Sequence, residues 1–373
     1  MTQLPDVSRA PTMADVARLA GVSHQTVSRV LSGHPNVSAR TRSAVTEVVE
    51  QLGYRRNSAA RALATRRTHT LGVIAVNTTL HGPASTLAGV QQAAQERGYL
   101  TSAVTLRTVT DASLDEAMRH LSVWGVEGVI AITPQRDAVR ALAALDAPCP
   151  VVTVEGGHTL DLPGVSVDQH LGARMVTEHL LAAGHSTVWH VAGPADWLES
   201  EARTAGWECA LREAGAEVPP LLRGDWSPLS GYHAGQQLAG RALASPGSGG
   251  LTAVFVANDQ MALGVLRAFR EAGLRTPADV AVAGFDDIPE AEFFPPPLTT
   301  VRQDFGSLGR SNIGLLLDHI EGTATEAAHL TVAPELIVRT STGRRRDPTE
   351  DWSGPVPASG STRSPPGTRT HAG

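Results

Sequence analysis

The chain is poor in residues that build covalent or metal-held scaffolds. It has 2 cysteines in 373 residues. These, Cys149 and Cys209, form no spacing that binds zinc or cycles a disulfide. Lysine is absent, so all 31 cationic residues are arginine, a compositional bias from which we read no mechanism. Aromatic residues make up 4% of the chain, so any Trp or Phe placed where a ligand can reach it is informative. No apolar run has the length a bilayer span requires. Residues 1–11 lack the apolar centre of a secretory signal. Neither a membrane protein nor an exported one is expected, and the expected compartment is the cytoplasm.

Hydrophobic content is 42% over 373 residues, enough for two or three folded units with cores of their own. The net charge of −6 hides an asymmetry. Residues 1–68 hold ten arginines and four acids, a net of +6, whereas the other 305 residues hold 21 arginines and 33 acids, a net of −12. A basic head on an acidic body suits a small DNA-binding domain joined to a soluble sensor.

Within the head, Val27, Val30 and Leu31 fall at i, i+3 and i+4, the apolar side of a helix. His24, Gln25, Ser28 and Arg29 lie largely elsewhere on it, and Gln and Arg are good readers of base edges. A first helix is expected over 14–20, opened by a capping box in which Asp15 answers Thr12. Gly21 supplies the turn, Ser23 caps the second helix, and Ser38 caps a third after the loop 32–36. Two short helices joined by a glycine turn and closed by a third make a helix-turn-helix. The plainer reading of that pattern is a three-helix bundle without nucleic acid.

The full string Asp15-Val16-Ala17-x-x-Ala20-Gly21-Val22-Ser23-x-x-Thr26-Val27-Ser28-Arg29-Val30-Leu31 resembles the signature of the lactose-repressor (LacI/GalR) family of bacterial transcription regulators. Residues 54–64, Tyr-Arg-Arg-Asn-Ser-Ala-Ala-Arg-Ala-Leu-Ala, resemble the family's hinge, which the resemblance implies is helical only on operator DNA. Leu63 matches the family's minor-groove wedge, and Asn57 and Arg61 would touch backbone or groove edges. Read without DNA, the segment is a basic linker. The implied DNA-facing set is Thr12, Ser23, His24, Gln25, Thr26, Ser28, Arg29, Asn36, Ser38, Asn57, Arg61 and Leu63. His24 stands where the family's lactose-responsive member has tyrosine, so operator preference is expected to be related but not identical.

From Thr70 onward short apolar runs alternate with helical stretches. Strands are expected at 71–76, 101–106, 128–132, 151–154, 188–191, 253–257 and 280–284. Helices are expected near 86–97, 113–124, 137–145, 169–183, 201–214, 231–244 and 259–272. This alternation means doubly wound parallel sheets, and a break near 165–170 divides them into two similar lobes. The body resembles the family's periplasmic-binding-protein-like (type I) sensor over residues 70–343. It is most similar to the lactose-responsive member at 203–207, 224–232, 256–264 and 296–305. The expected organisation is a disordered N-terminus (1–11), a helix-turn-helix domain (12–56), a hinge (57–68) and an effector-binding and dimerisation domain (69–343). The last would divide into lobe 1, 69–167 and 303–332, and lobe 2, 168–302 and 333–343. The tail, 344–373, cannot bury enough apolar surface to fold. It lacks leucine heptads, so a homodimer held by the sensor lobes is expected.

Ligands of open α/β sheets bind beyond the carboxyl ends of strands. Asn258 and Asp286 follow two predicted strands and would project into a cleft between the lobes. An Asn, an Asp and an Arg match the mixed donors and acceptors of sugar hydroxyls. Residues matching Arg203, Trp226, Asn258, Asp286, Gln303 and Phe305 lie at the inducer in the lactose-responsive member, and Leu80, Gly82 and Pro83 match its apolar wall. Asp168 is a further cleft or lobe-crossing candidate. Taken singly, Trp226 and Phe305 could be core, Asn258 and Asp286 turn residues, and Arg203 a surface ion-pair partner.

The resemblance implies a repressor of sugar-catabolism genes, released from a pseudo-palindromic double-stranded operator by a sugar inducer such as a galactoside. A transport-linked sugar-binding protein is the alternative, and the basic head and missing signal sequence count against it. An enzyme is not expected. There is no carboxylate pair placed as acid and nucleophile, no Gly-x-Ser-x-Gly elbow and no zinc spacing. Neither cofactor nor metal is expected beyond the sugar effector.

Overall fold

The computed structural model describes residues 11–31, 33–54, 67–154, 162–244, 250–324 and 328–343. The hinge residues Asn57, Arg61 and Leu63 and the tail 344–373 lie outside the described residues.

The head has three helices, α1 (Met13–Ala20), α2 (His24–Leu31) and α3 (Ala39–Leu52). Each starts at a polar residue that occupies otherwise unpaired groups of the first turn. Thr12 donates its amide and its hydroxyl to Asp15 Oδ2, at 2.9 and 2.6 Å. These bonds, with Arg18 nearby, lower the Asp15 carboxyl to about 2. Ser23 Oγ accepts from the Thr26 amide at 3.1 Å, and Ser38 Oγ from the Thr41 amide at 3.2 Å. Val16, Val27 and Val45 are fully buried and pack with Ala17, Val30 and Tyr54. Tyr54, which opens the hinge-like string, therefore belongs to the head's core.

The body divides into two compact units. One runs through Val167 and includes Asp304–Val332; the other comprises Asp168–Gln303 and the chain from Ala333 on. The first unit's strands are β1 (Thr70–Val76), β2 (Leu100–Leu106), β3 (Val129–Ile132), β4 (Val151–Val154), β5 (Gly164–Val167) and the returning β11 (His329–Val332). They form one parallel sheet in the order β11-β5-β4-β3-β1-β2. Every residue of β1 from Leu71 to Val76 is buried, as expected of a strand covered on both faces. Side chains alternate across it. Leu71, Val73 and Ala75 join the cluster containing Val90 of α4 (His81–Glu96) and Leu308 and Leu316 of α11 (Phe305–Glu321). Ile74 joins Leu114 and Leu121 of α5 (Asp111–Val123) on the other face. Helices α4 and α11 touch backbone to backbone, because a Cβ on Gly89 or Gly309 would come within 2.3 Å of the opposite main chain.

The second unit has a parallel sheet in the order β7 (Leu222–Arg223), β6 (Trp189–Ala192), β8 (Ala253–Val256), β9 (Ala281–Ala283). A separate antiparallel pair joins β10 (Thr300–Arg302) to β12 (Glu335–Ile337). Ala173 and Val176 of α7 (Gln169–Ala182) and Trp207 and Leu211 of α8 (Leu198–Glu213) pack on Ala253, Phe255, Ala281 and Ala283. Within this core the His190 ring stacks on Phe255, centroids 4.5 Å apart, and its Nδ1 lies 2.9 Å from the Phe255 carbonyl. Burial lowers His190 to about 3, so the ring is neutral and Nδ1 donates.

Strands β5, β7, β10, β11 and β12 were not among the expected ones. They hold two to four residues each, and none contains more than two adjacent apolar residues. The first unit resumes at Asp304, one residue later than expected, because Gln303 bonds to Gln169 and Asp286 of the second unit. Among the described residues no helix is long and apolar enough to cross a membrane.

Candidate DNA-reading face and effector site

Helix α2 buries Val27 and Val30 and exposes His24, Gln25 and Arg29, with Thr26 and Ser28 half-buried. The valines' burial turns the polar stripe outward, as the pattern required. Thr26 and Ser23 are bonded to each other through their hydroxyls at 2.8 Å, so this pair also fixes the start of the helix. Asn36 is exposed in the loop, its amide 3.3 Å from His34 Nδ1. Arg42 donates to the His34 carbonyl at 3.0 Å and ties that loop to α3.

In the second unit four side chains close a ring. Arg203 Nε donates to Gln169 Oε1 at 2.9 Å, Gln169 Nε2 to Gln303 Oε1 at 2.9 Å, and Gln303 Nε2 to Asp286 Oδ1 at 2.8 Å. Asp286 Oδ1 lies 3.6 Å from Arg203 NH2 and completes the circuit. All four residues are buried. Arg203 also donates to the Ala257 carbonyl, and its guanidinium carbon lies 3.8 Å from the centre of the Phe285 ring. A buried ion pair needs such supplementary bonds to offset desolvation. The ring stands at the carboxyl ends of β8 and β9, where an open sheet presents its ligands.

Trp226 lies beside it. Arg203 is 5.6 Å from the centre of its ring, and Trp197 meets it edge-on at 5.4 Å. The Trp226 backbone is in the left-handed region, at φ 73°. Gly193 makes room for the indole, since a Cβ there would stand 2.3 Å from ring carbons. Its Nε1 is buried and finds no acceptor among the described residues, although a buried indole N–H ordinarily has a partner. Asn258 holds the Trp226 carbonyl through Nδ2 at 3.2 Å and caps α10 (Asp259–Glu271) by accepting from the Met261 amide at 2.9 Å.

The loop after β9 carries two successive acids with positive φ, Asp286 at 108° and Asp287 at 53°. Asp286 faces the ring. Asp287 is held by Arg302 Nε and Arg339 NH2, both at 2.7 Å. Asp259 braces this loop from behind, accepting from the Ile288 amide at 2.9 Å and the Thr300 hydroxyl at 2.6 Å. Complete burial, reinforced by the Asp286 charge, pushes the Asp259 carboxyl well above the usual carboxylate range.

The ring thus unites Arg203, Asp286 and Gln303, with Trp226 and Asn258 adjoining. Asp168 stands outside it: its carboxylate caps α7, accepting from the Leu171 amide at 2.8 Å. Its neighbour Gln169 is the residue that reaches Arg203. Leu80, Gly82, Pro83 and Phe305 belong to the first unit. Leu80 and Gly82 are half-buried at the start of α4, Pro83 is buried, and Phe305 meets His81 edge-on at 5.7 Å. Gln169, Phe285, Trp197 and Asp259 were not singled out from sequence. Trp197 and Phe285 carried a signal, as two of few aromatics beyond strand ends.

A three-helix DNA-reading head on an α/β body with a buried polar ring at its strand ends defines a ligand-sensing DNA-binding regulator. Residues 12–57 match the model of bacterial regulatory proteins, lacI family, and residues 177–342 match a periplasmic binding protein-like domain. The chain is 33% identical to the lactose operon repressor of Escherichia coli (strain K12) over 322 residues, 86% of this chain and 87% of that protein. It is 37% identical to the HTH-type transcriptional regulator CelR of Thermobifida fusca over 345 residues, 89% of this chain and 98% of that one. Among solved structures it resembles a lac repressor dimer bound to operator and the anti-inducer ONPF, with a TM-score of 0.76 at 32% identity, covering 90% of this chain and 100% of that one. It also resembles a CelR–cellobiose complex, with a TM-score of 0.66 at 34% identity, covering 89% of this chain and 99% of the other. The chain belongs to the lacI family of bacterial regulatory proteins.

Proposed function

We infer that the chain is a sugar-responsive transcriptional repressor. It binds double-stranded operator DNA as a homodimer and leaves it when a sugar occupies the second unit's polar ring. Two copies of the exposed face of α2 would read two half-sites, so the operator is a pseudo-palindrome. The observation that carries the effector half is the Arg203–Gln169–Gln303–Asp286 ring beside Trp226. It offers fixed donors and acceptors at strand ends, next to a flat apolar ring whose indole N–H has no acceptor among the described residues. That is the mixed surface a sugar presents in complement, hydroxyl edges to the ring and C–H face to the aromatic. Relatives described with lactose, cellobiose and ribose support a sugar of one or two rings.

Release follows from linkage. A sugar weakens operator binding only by the factor by which it prefers the conformation unfit for DNA, and DNA weakens sugar binding by the same factor. The test is a thermal-shift screen with lactose, cellobiose and ribose, followed by fluorescence anisotropy on palindromes from the chain's own regulatory region. Tight binding to one palindrome, relieved by the sugar that shifts the melting curve, is the expected result. Binding to no palindrome sinks the repressor reading, and DNA binding that ignores every stabilising sugar sinks induction.

A further inference from the structure

A second polar cluster lies at the amino-terminal end of the first unit's sheet. It surrounds the three residues that lead into β1. Arg67 donates from Nε and NH2 to Glu127 Oε2 at 3.1 and 3.0 Å, and from NH2 to the Tyr99 hydroxyl at 2.7 Å. Glu127 Oε1 accepts the His69 amide at 2.7 Å. Thr68 Oγ1 donates to the Gly125 carbonyl at 2.7 Å. His69 has a positive φ of 51°, and its ring tilts against Tyr99 at 5.2 Å. The main chain adds the Leu100 amide on the His69 carbonyl and the Glu127 amide on the Thr70 carbonyl, both at 2.9 Å.

Three strands therefore converge on one tripeptide. Tyr99 immediately precedes β2 and Glu127 comes just before β3, while Arg67–His69 precedes β1. Arg67 is also the first described residue after the stretch that joins head and body. An anchor needed only to start β1 could rest on its backbone bonds. Here a carboxylate is spent on both a backbone amide and a guanidinium, and its side chain is only 12% exposed. Burial alone would raise Glu127, but the His69 amide and Arg67 outweigh it and hold the carboxyl below its usual range. The group is thus an anion at neutral pH, and both of its oxygens are committed to the incoming chain.

We propose that Glu127, with Arg67 and Tyr99, is the joint through which the effector state of the body reaches the DNA-binding head. Glu127 acts as a positioning residue that makes the end of the head-to-body connection move with the ends of β1, β2 and β3. The proposal rests on the repressor reading above. A joint of this kind carries coupling between two sites without touching either ligand. Its loss should leave both affinities largely intact and lower only the factor that links them.

The test uses the full chain with Glu127→Gln and Arg67→Met. Calorimetry with cellobiose and lactose gives the sugar affinity, and anisotropy gives operator affinity with and without sugar. For both variants, sugar affinity and sugar-free operator affinity should stay within about threefold of wild type, while the release factor falls by about tenfold, within the span of typical couplings. Release undiminished in both variants overturns the joint. So does a parallel loss of sugar or operator affinity, which marks a folding role. If no sugar releases even the wild-type chain, the inducer reading fails and the joint is judged by hydrogen exchange. Operator DNA should then slow the His69 and Leu100 amides in wild type but not in Glu127→Gln, and equal slowing in both overturns it.

Discussion

The Arg203 guanidinium carbon lies over the Phe285 ring, 3.8 Å from its centre, while Nε is bonded to Gln169 and the terminal nitrogen faces Asp286. One guanidinium thus serves an aromatic ring and two polar partners at once, which a lysine ammonium cannot reproduce. Arg203→Lys should therefore weaken sugar binding by about 10- to 100-fold, the worth of a hydrogen bond to a charged group. Sugar-free operator binding should change little. Arg203→Met leaves Asp286 buried without its cation and should cost roughly 3–5 kcal/mol of stability. Calorimetry and urea unfolding check the two, and a Lys variant with wild-type sugar affinity would remove Arg203 from the site.

Gly193 is the floor on which Trp226 rests. Gly193→Ala pushes a methyl group into that indole and should cost about 1–3 kcal/mol by overpacking. Because Trp226 is the ring beside Arg203, sugar affinity should fall as well. Intrinsic tryptophan fluorescence, compared with a Trp226→Phe control, reports the displacement. Unaltered emission and unaltered sugar affinity would show that the ring has room to spare.

Arg29 is exposed on the α2 face opposite Val27 and Val30. Arg29→Ala should relax preference at one base pair of each half-site by roughly 1–3 kcal/mol, with other positions unaffected. His24→Tyr should change preference toward that of the lactose-responsive relative. Binding to a library of singly substituted palindromes measures both, and a uniform loss across all sequences would make Arg29 a phosphate contact.

His190 gives a pH dependence with a definite sign. Its value is near 6.5 unfolded and about 3 in the native core. Between these values the unfolded chain binds a proton that the native chain does not. His190 therefore favours the native state fully above pH 6.5 and loses that contribution as pH falls, by at most about 1.4 kcal/mol per unit. Against a His190→Leu variant, the wild type should lose relative stability between about pH 7 and pH 5. A constant difference in urea midpoints over that range would contradict a neutral buried imidazole.

The head was legible nearly to the residue, because caps, a glycine turn and helical periodicity all coincide at Thr12, Gly21, Ser23 and Ser38. The long strands were legible for the same reason: Leu71–Val76 is a continuous apolar run. The polar ring was only half legible. Asp286 was marked by its place after a predicted strand, whereas Arg203 and Gln303 came only from matching a known pattern, since nothing local marks them. Gln169 was passed over for Asp168, although both follow β5, because sequence does not tell which of two adjacent polar side chains caps the helix and which turns inward. Asp259 was missed because an acid at the start of a helix usually stays in water. Here the loop that closes over it supplies the Ile288 amide and the Thr300 hydroxyl.

Asp286 and Asp287 form a corner whose two carboxylates serve different neighbours, the polar ring on one side and Arg302 and Arg339 on the other. With φ at 108° and 53°, that corner suits glycine, asparagine and aspartate and disfavours other side chains. Descendants of this chain that acquire a taste for a different sugar are therefore steered away from position 286. Divergence is freer at Gln169, Gln303 and Trp197, whose backbones impose no such restriction, and there the history of effector change should be written.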